Sequence, residues 1–74
     1  MNLEIIGNRI RFLRINYTNY SQDEFASRID VDRSYLSRVE SGKQNITLET
    51  LIRICEEGLG ISLKRFFDFE EPEF

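Results

Sequence analysis

The sequence has 74 residues, of which 41% are hydrophobic and 31% charged, and its formal net charge is −3. This length allows one small domain, spanning residues 1–74, with a single core and no separate ligand-binding or catalytic module. No apolar stretch approaches the roughly 18 residues of a membrane span, so no membrane association is expected. The single cysteine, Cys55, cannot form an internal disulfide, which favours a reducing compartment such as the cytoplasm.

Catalytic and metal-binding signatures are missing from the sequence. It contains no histidine, no glycine-rich phosphate loop and no residues at metal-ligand spacing. The sequence therefore predicts a protein that is not an enzyme and that needs no cofactor, no metal and no small-molecule ligand.

The negative charge is concentrated in the second part of the chain. Residues 1–43 carry seven basic and six acidic side chains, whereas residues 44–74 carry three basic and seven acidic ones. A face that binds nucleic acid in the first part is compatible with this distribution, although the negative total counts mildly against it.

The first predicted element is a helix over residues 3–16. Its apolar residues recur at i, i+4 and i+7, which is the spacing of a buried helical stripe; they are Ile6, Ile10 and Leu13. Arg9 and Arg11 lie off this stripe. For both, a solvated helix face is favoured over contacts with phosphates.

A second helix is predicted over residues 22–28. Ser21 and Glu24 have the spacing of a capping box, in which the serine caps the helix and the glutamate reaches back to it. The inner face of this helix is formed by Phe25, Ala26 and Ile29. A tight turn at Asp30 and Val31 comes next.

A third helix is predicted over residues 33–41. Asp32 is a suitable N-cap, and Gly42 is a suitable residue just beyond the C-terminus. Leu36 and Val39 form a narrow apolar stripe. The other side carries arginine and serine side chains, which suit direct contacts with the edges of DNA bases.

The last part of the chain predicts two more helices. Thr47 caps a helix over about 48–57, and Ser62 caps a short helix over 63–68. The inner face of the fourth helix is predicted to comprise Leu48, Leu51, Ile52 and Cys55, with Cys55 a buried apolar filler. An acidic, frayed tail is expected over 69–74. The predicted fold class is all-α, a five-helix orthogonal bundle.

The spacing of the second and third helices is that of a helix-turn-helix. Together with Leu48-Glu49-Thr50-Leu51 and Gly60-Ile61-Ser62-Leu63, the two helices resemble the lambda-repressor-like (Cro/C1-type, XRE) DNA-binding family. The match covers roughly residues 5–68. Within the family, the Asp-Arg-Ser-Tyr opening of the third helix looks most like controller proteins of restriction–modification systems.

This resemblance implies a role for each matching position. The third helix would lie in the major groove of DNA and contact bases through Arg33, Ser34, Ser37 and Arg38. The DNA backbone or a base step would be contacted by Gln22, Tyr35, Lys43 and Asn45. Arg14 and Glu40 match a family salt bridge between the first and third helices.

The sequence departs from the family pattern at three places. The loop between Arg14 and Gln22 looks one residue longer than usual, and Asp30 stands where glycine is common. The segment 55–60 also looks one residue longer, and an extra helical residue rotates the downstream residues by about 100°. A longer helix, a bulge or a looped-out residue could absorb it.

The end of the chain is rich in apolar residues, including Phe74. We expect a two-fold dimer interface formed by Ile61, Leu63, Phe66, Phe67 and Phe69, although these residues could instead belong to the core or the tail.

The implied function is a transcriptional regulator that binds double-stranded DNA as a homodimer on a palindromic operator in the cytoplasm of a bacterium. Pairing of two dimers on adjacent operators is left open. The alternatives are a phage or chromosomal repressor, or an antitoxin-like or adaptor module that binds a protein partner.

Overall fold

The computed structural model of the chain describes residues 2–70, and within this range every regular element is helical. The helices are α1 (Leu3–Tyr17), α2 (Gln22–Arg28), α3 (Arg33–Glu40), α4 (Leu48–Arg53) and α5 (Leu63–Phe66). A π-helical segment, Ile54–Leu59, continues α4 without a break. The predicted all-α bundle is therefore confirmed. Phe74 and most of the predicted acidic tail over 69–74 lie outside the described residues.

The core is formed by one buried stripe from each element. It includes the predicted inner faces of α1, α2 and α3, Leu51 from α4, Ile54 and Cys55 from the π-helical segment, and Phe66 from α5. Cys55 is fully buried, as expected for an apolar filler. Among residues 2–70, no helix is long and apolar enough to cross a membrane.

The first and third helices approach each other closely because Gly7 has no side chain. A Cβ atom at Gly7 would lie 2.2 Å from the carbonyl oxygen of Val39 and 2.9 Å from that of Glu40. Glycine costs helix stability in the middle of α1, but here it allows backbone contact. This contact helps to fix the orientation of α3 relative to α1.

The extra residue predicted in segment 55–60 is absorbed by the π-helical segment. A π-helical turn closes hydrogen bonds between residues five apart, so it accommodates one more residue than an α-helical turn. Gly60, at φ 68°, ends the segment, and its N–H donates to the carbonyl of Cys55. The helix therefore continues to Leu59 and does not end near residue 57.

Two residues predicted on the inner face of α4 are exposed. Leu48 is 62% exposed and Ile52 is 36% exposed, whereas Leu51, Ile54 and Cys55 are buried. Ile52 comes one residue after Leu51, which turns it about 100° away from the buried stripe. Leu48 lies in the first turn of α4, which the core does not cover. The prediction that both face inward was wrong.

Candidate nucleic-acid interface

The second helix, α2, begins with a cap formed by Ser21 and Glu24. The Ser21 hydroxyl accepts from the N–H of Glu24 at 3.1 Å, and the Glu24 carboxylate accepts from the N–H of Ser21 at 3.0 Å. This confirms the predicted capping box. The backbone N–H of Ser21, and then its hydroxyl, lowers the pKa of Glu24, so the cap is charged at neutral pH.

The turn between α2 and α3 has a left-handed residue at Asp30, with φ 59°. The N–H of Asp30 donates to the carbonyl of Ser27 at 3.2 Å, and the N–H of Val31 donates to that of Ala26 at 2.9 Å. These two bonds define a Schellman motif, which usually has glycine at the left-handed position. Aspartate tolerates this conformation better than most residues, and so the turn forms without glycine.

The start of α3 is fixed by Asp32. Its carboxylate accepts from the N–H of Ser34 at 3.2 Å and from the Ser34 hydroxyl. The Ser34 hydroxyl is the main cause of the lowered pKa of Asp32. Because the hydroxyl hydrogen of Ser34 is used in this bond, the oxygen of Ser34 is left as an acceptor towards a donor on a base.

The inner side of α3 is buried and its outer side is free. Leu36 and Val39 lie in the core, and this orients the opposite face of the helix towards solvent. The predicted base-contacting residues on that face are all exposed: Arg33, Ser34, Ser37 and Arg38. Tyr35 is half-buried and packs against the core.

The guanidinium of Arg38 is held by Gln44, a residue for which the sequence pattern indicates no role. Nε of Arg38 donates to Oε1 of Gln44 at 3.1 Å. This leaves the two terminal nitrogens of Arg38 as the free donors, which is the edge that can pair with O6 and N7 of guanine. Gln44 lies in the loop after α3, and only the fold brings it to Arg38.

The loop after α3 begins with a second Schellman motif. Gly42 has φ 76°, and the N–H of Lys43 donates to the carbonyl of Arg38 at 2.9 Å. A Cβ at Gly42 would lie 2.8 Å from Cα of Glu4, so glycine also permits contact with the start of α1. Lys43 and Asn45 are exposed beside the end of α3, in a position compatible with their predicted role.

The predicted salt bridge between α1 and α3 is present and buried. Nε and Nη2 of Arg14 donate to the two carboxylate oxygens of Glu40 at 2.7 and 2.9 Å. Arg14 is 8% exposed and Glu40 is 3% exposed. A bidentate pair of this kind fixes the relative orientation of the two helices.

Gln22 joins this salt bridge from the start of α2. Its Nε2 donates to Oε1 of Glu40 at 3.0 Å. The three residues Arg14, Gln22 and Glu40 therefore link the three helices that form and support the helix-turn-helix. Because the amide group has two N–H bonds, Gln22 keeps one donor for a phosphate.

The predicted dimer residues differ in how much surface they present. Phe66 is fully buried in the core of the single chain, so the expectation that it forms part of an interface is corrected. Phe67 is exposed, and Ile61, Leu63 and Phe69 are half-buried. Ile61 and Leu63 also pack against the core.

Arg9 has a structural contact that the sequence did not predict. Nε donates to the carbonyl of Phe66 at 2.8 Å, and the guanidinium lies 4.6 Å from the centre of the Phe69 ring. A cation at the C-terminus of a helix is favourable because the last carbonyls lack partners. Arg9 therefore fastens α5 to α1, and the expected solvated position was wrong for this residue.

Comparison with known proteins assigns the family. The helix-turn-helix family matches residues 13–66. The chain is 45% identical over 67 residues to control protein C.MunI of a Mycoplasma species, covering 90% of this chain and 89% of that protein.

Solved structures of controller proteins have the same fold. The restriction–modification controller protein C.AhdI from Aeromonas hydrophila is 32% identical, with a TM-score of 0.79 over 88% of this chain and 96% of that chain. Controller protein C.Esp1396I, solved as a tetramer with its natural 35-base-pair operator, is 29% identical, with a TM-score of 0.79 over 89% and 84% of the two chains. The chain therefore belongs to the XRE-type helix-turn-helix family of DNA-binding regulators.

Proposed function

We propose that this protein is the controller of a restriction–modification system, a transcriptional regulator that binds a palindromic operator as a homodimer. The observation that carries the proposal is the exposed face of α3, where Arg33 and Arg38 lie on a helix fixed at both ends. The similarity to control protein C.MunI supports the same conclusion. Such a regulator acts in the cytoplasm of the bacterium that encodes it.

Sequence would be recognised by α3 in the major groove. Arg33 and Arg38 can each form two hydrogen bonds with a guanine, and each such contact contributes about 1–3 kcal/mol of discrimination. Ser34 and Ser37 are short enough to allow a close approach of the helix to the bases. The pairing of Arg38 with Gln44 supports this role, because it reduces the rotamers that must be fixed on binding.

Affinity would come mainly from the DNA backbone. Lys43, Asn45 and the remaining donor of Gln22 lie around α3 and can contact phosphates, which carry no sequence information. Binding should therefore weaken steeply as salt is added, since cations condensed on the DNA are released. The positive side chains near α3 make such binding compatible with the negative total charge.

A dimer would give the specificity that one helix lacks. One recognition helix contacts only a few base pairs, whereas two related by two-fold symmetry select half-sites about 34 Å apart. Phe67 supplies the exposed surface among the predicted interface residues, with Ile61, Leu63 and Phe69 partly accessible beside it. We infer that these four residues contribute to the dimer interface.

We expect no small-molecule ligand to control this regulator. Its activity would therefore depend on its own concentration. Monomers would form dimers as the protein accumulates, and two dimers would then bind adjacent operators. The tetramer of C.Esp1396I in complex with its operator supports the last of these states. Such a circuit delays its own response until enough protein is present.

Selection of duplex DNA from a random pool tests the proposal. The purified protein and the double variant Arg33→Ala, Arg38→Ala are taken through the same selection at low salt. We expect a near-palindromic motif with the wild type and none with the variant. Failure of both proteins to enrich any sequence would overturn the proposal and direct attention to a protein partner of the phenylalanine-rich end.

A further inference from the structure

We propose that Arg11, on α1, binds a phosphate of the DNA backbone and extends the interface beyond the helix-turn-helix. The inference rests on the proposed DNA-binding function. It assigns to α1 a direct contact with the ligand, in addition to its structural role through Arg14. The ligand group is a phosphodiester, which is recognised by charge and not by base sequence.

The two neighbouring arginines of α1 have different surroundings. Arg9 donates to the carbonyls of Phe66 and Arg65, at 2.8 and 3.3 Å, and is thereby fixed to α5. Arg11 is exposed, and no other residue within 2–70 forms a hydrogen bond or an ion pair with its side chain. The two residues are two positions apart, which places them on different sides of the helix. Arg11 is therefore available to a ligand.

Arg11 lies at a cleft that borders the recognition helix. The cleft has a volume of about 270 Å³ and is lined by Arg11, Arg14, Gln22, Ser37, Glu40 and Ser41. Ser37 belongs to the exposed face of α3, and Gln22 is the first residue of α2. A DNA strand that borders α3 would therefore pass the opening of this cleft.

The charge of the cleft suits an anion. The Glu40 carboxylate accepts hydrogen bonds from Arg14 and Gln22, so its charge is balanced within the protein. The guanidinium of Arg11 is the remaining full charge among the lining residues. The hydroxyl of Ser37 and the second N–H of the Gln22 amide add donors that a phosphate oxygen can use. The Ser41 hydroxyl already donates to the carbonyl of Arg38 at 3.1 Å.

The salt dependence of operator binding tests this inference. The change is Arg11→Gln, the matched control is Lys64→Gln at an exposed position of α5, and the probe is the operator selected by the wild type. Each lost phosphate contact lowers the slope of log affinity against log salt by about 0.9. In a dimer the slope should therefore be smaller by about 1.8, so that between 0.1 M and 1 M salt the affinity of the variant falls roughly 60-fold less than that of the wild type. The order of preference among operator variants should not change, because phosphate contacts carry no sequence information.

Three further results decide the outcome. Arg11→Lys should restore most of the slope, and Lys64→Gln should leave it unchanged. Unfolding of Arg11→Gln in urea should match that of the wild type, since Arg11 is exposed. The inference would be overturned if Arg11→Gln had the same slope of log affinity against log salt as the wild type, whether or not its base preference changed. The proposed function would remain intact. Absence of salt-dependent binding by the wild type itself would overturn both.

Discussion

The helix-turn-helix segment, residues 22–40, and the C-terminal segment, residues 48–66, are specified by the sequence in different ways. The α-helices of both segments begin with side-chain caps, Ser21 and Asp32 in the first and Thr47 and Ser62 in the second. In the first segment the helices remain α-helical, and the turn between them is closed by hydrogen bonds between nearby residues. In the second segment the helix changes from α to π form, and two apolar residues of α4 face solvent. Local signals thus account for the whole recognition segment, whereas in the second segment they account for the starts of the helices and packing against the rest of the chain decides the helical register.

This difference has a functional consequence. Base contacts need side chains held in a fixed geometry, and the recognition segment is held by caps, by a buried stripe and by the Arg14–Glu40 pair. The C-terminal segment can accept one more residue because a π-helical segment restores the register of α5. The residues proposed for the dimer interface follow the π-helical segment and lie outside α3.

Among changes that distinguish the two segments, single-residue deletions should have the largest effect on stability. Deleting Ser27 from α2 should rotate Ile29 by about 100° away from Phe25, and cooperative unfolding should be lost. Deleting Glu57 should let the π-helical segment become α-helical, with a loss of less than about 2 kcal/mol. Urea unfolding followed by circular dichroism measures both. Equal damage from the two deletions would contradict the proposed difference between the segments.

Ion pairs provide a second contrast between the segments. Replacing Arg14 with Met leaves Glu40 buried without its partner and should cost about 3–5 kcal/mol. Replacing Glu49 with Gln removes an exposed pair with Arg53, 3.7 Å apart, and should cost less than about 1 kcal/mol. Urea unfolding again gives both values. In a double-mutant cycle, additive effects of Arg14→Met and Glu40→Leu would show that the buried pair is not coupled.

The sequence predicted the recognition segment almost completely, because its signals are short-range. Ser21, Glu24 and Asp32 act as caps within three residues of their partners, and family resemblance supplied the pair between Arg14 and Glu40. Contacts of Gln44 with Arg38 and of Arg9 with α5 were missed, because a single sequence does not reveal which polar side chains meet after folding. For the π-helical segment, the sequence showed only that segment 55–60 is one residue longer than the family pattern. It did not show the π form, because the helical register there depends on how Gly58 packs against Phe25.

The turn between α2 and α3 offers a stabilising change. Asp30 has a positive φ, which glycine adopts without steric cost. We expect Asp30→Gly to raise the free energy of unfolding by up to about 1 kcal/mol, and Asp30→Ala to lower it. Thermal unfolding of the three proteins checks both signs. A loss of stability in the glycine variant would mean that the aspartate side chain contributes more than its conformation costs.

A last contrast, absent at neutral pH, concerns Cys55 in the C-terminal segment. Burial raises the pKa of its thiol from 9.0 to about 11, with a further contribution from the charge of Glu56. A raised pKa in the folded state stabilises the protein below pH 9, and this contribution is lost as the pH rises through 11. Stability of the wild type should therefore decline more between pH 9 and 11 than that of Cys55→Ala. Parallel decline of the two proteins would contradict burial of the thiol.

The central claim, that α3 contacts the bases of an operator, is tested most directly by a cycle that pairs Arg33→Ala with a base substitution. Affinities of wild type and variant are measured for the selected operator and for operators in which one guanine pair of the selected motif is replaced. If Arg33 contacts that guanine, the variant should lose discrimination at that position alone, with a coupling energy of about 1–3 kcal/mol per half-site. Absence of coupling between Arg33 and every operator position would contradict recognition by this face of α3.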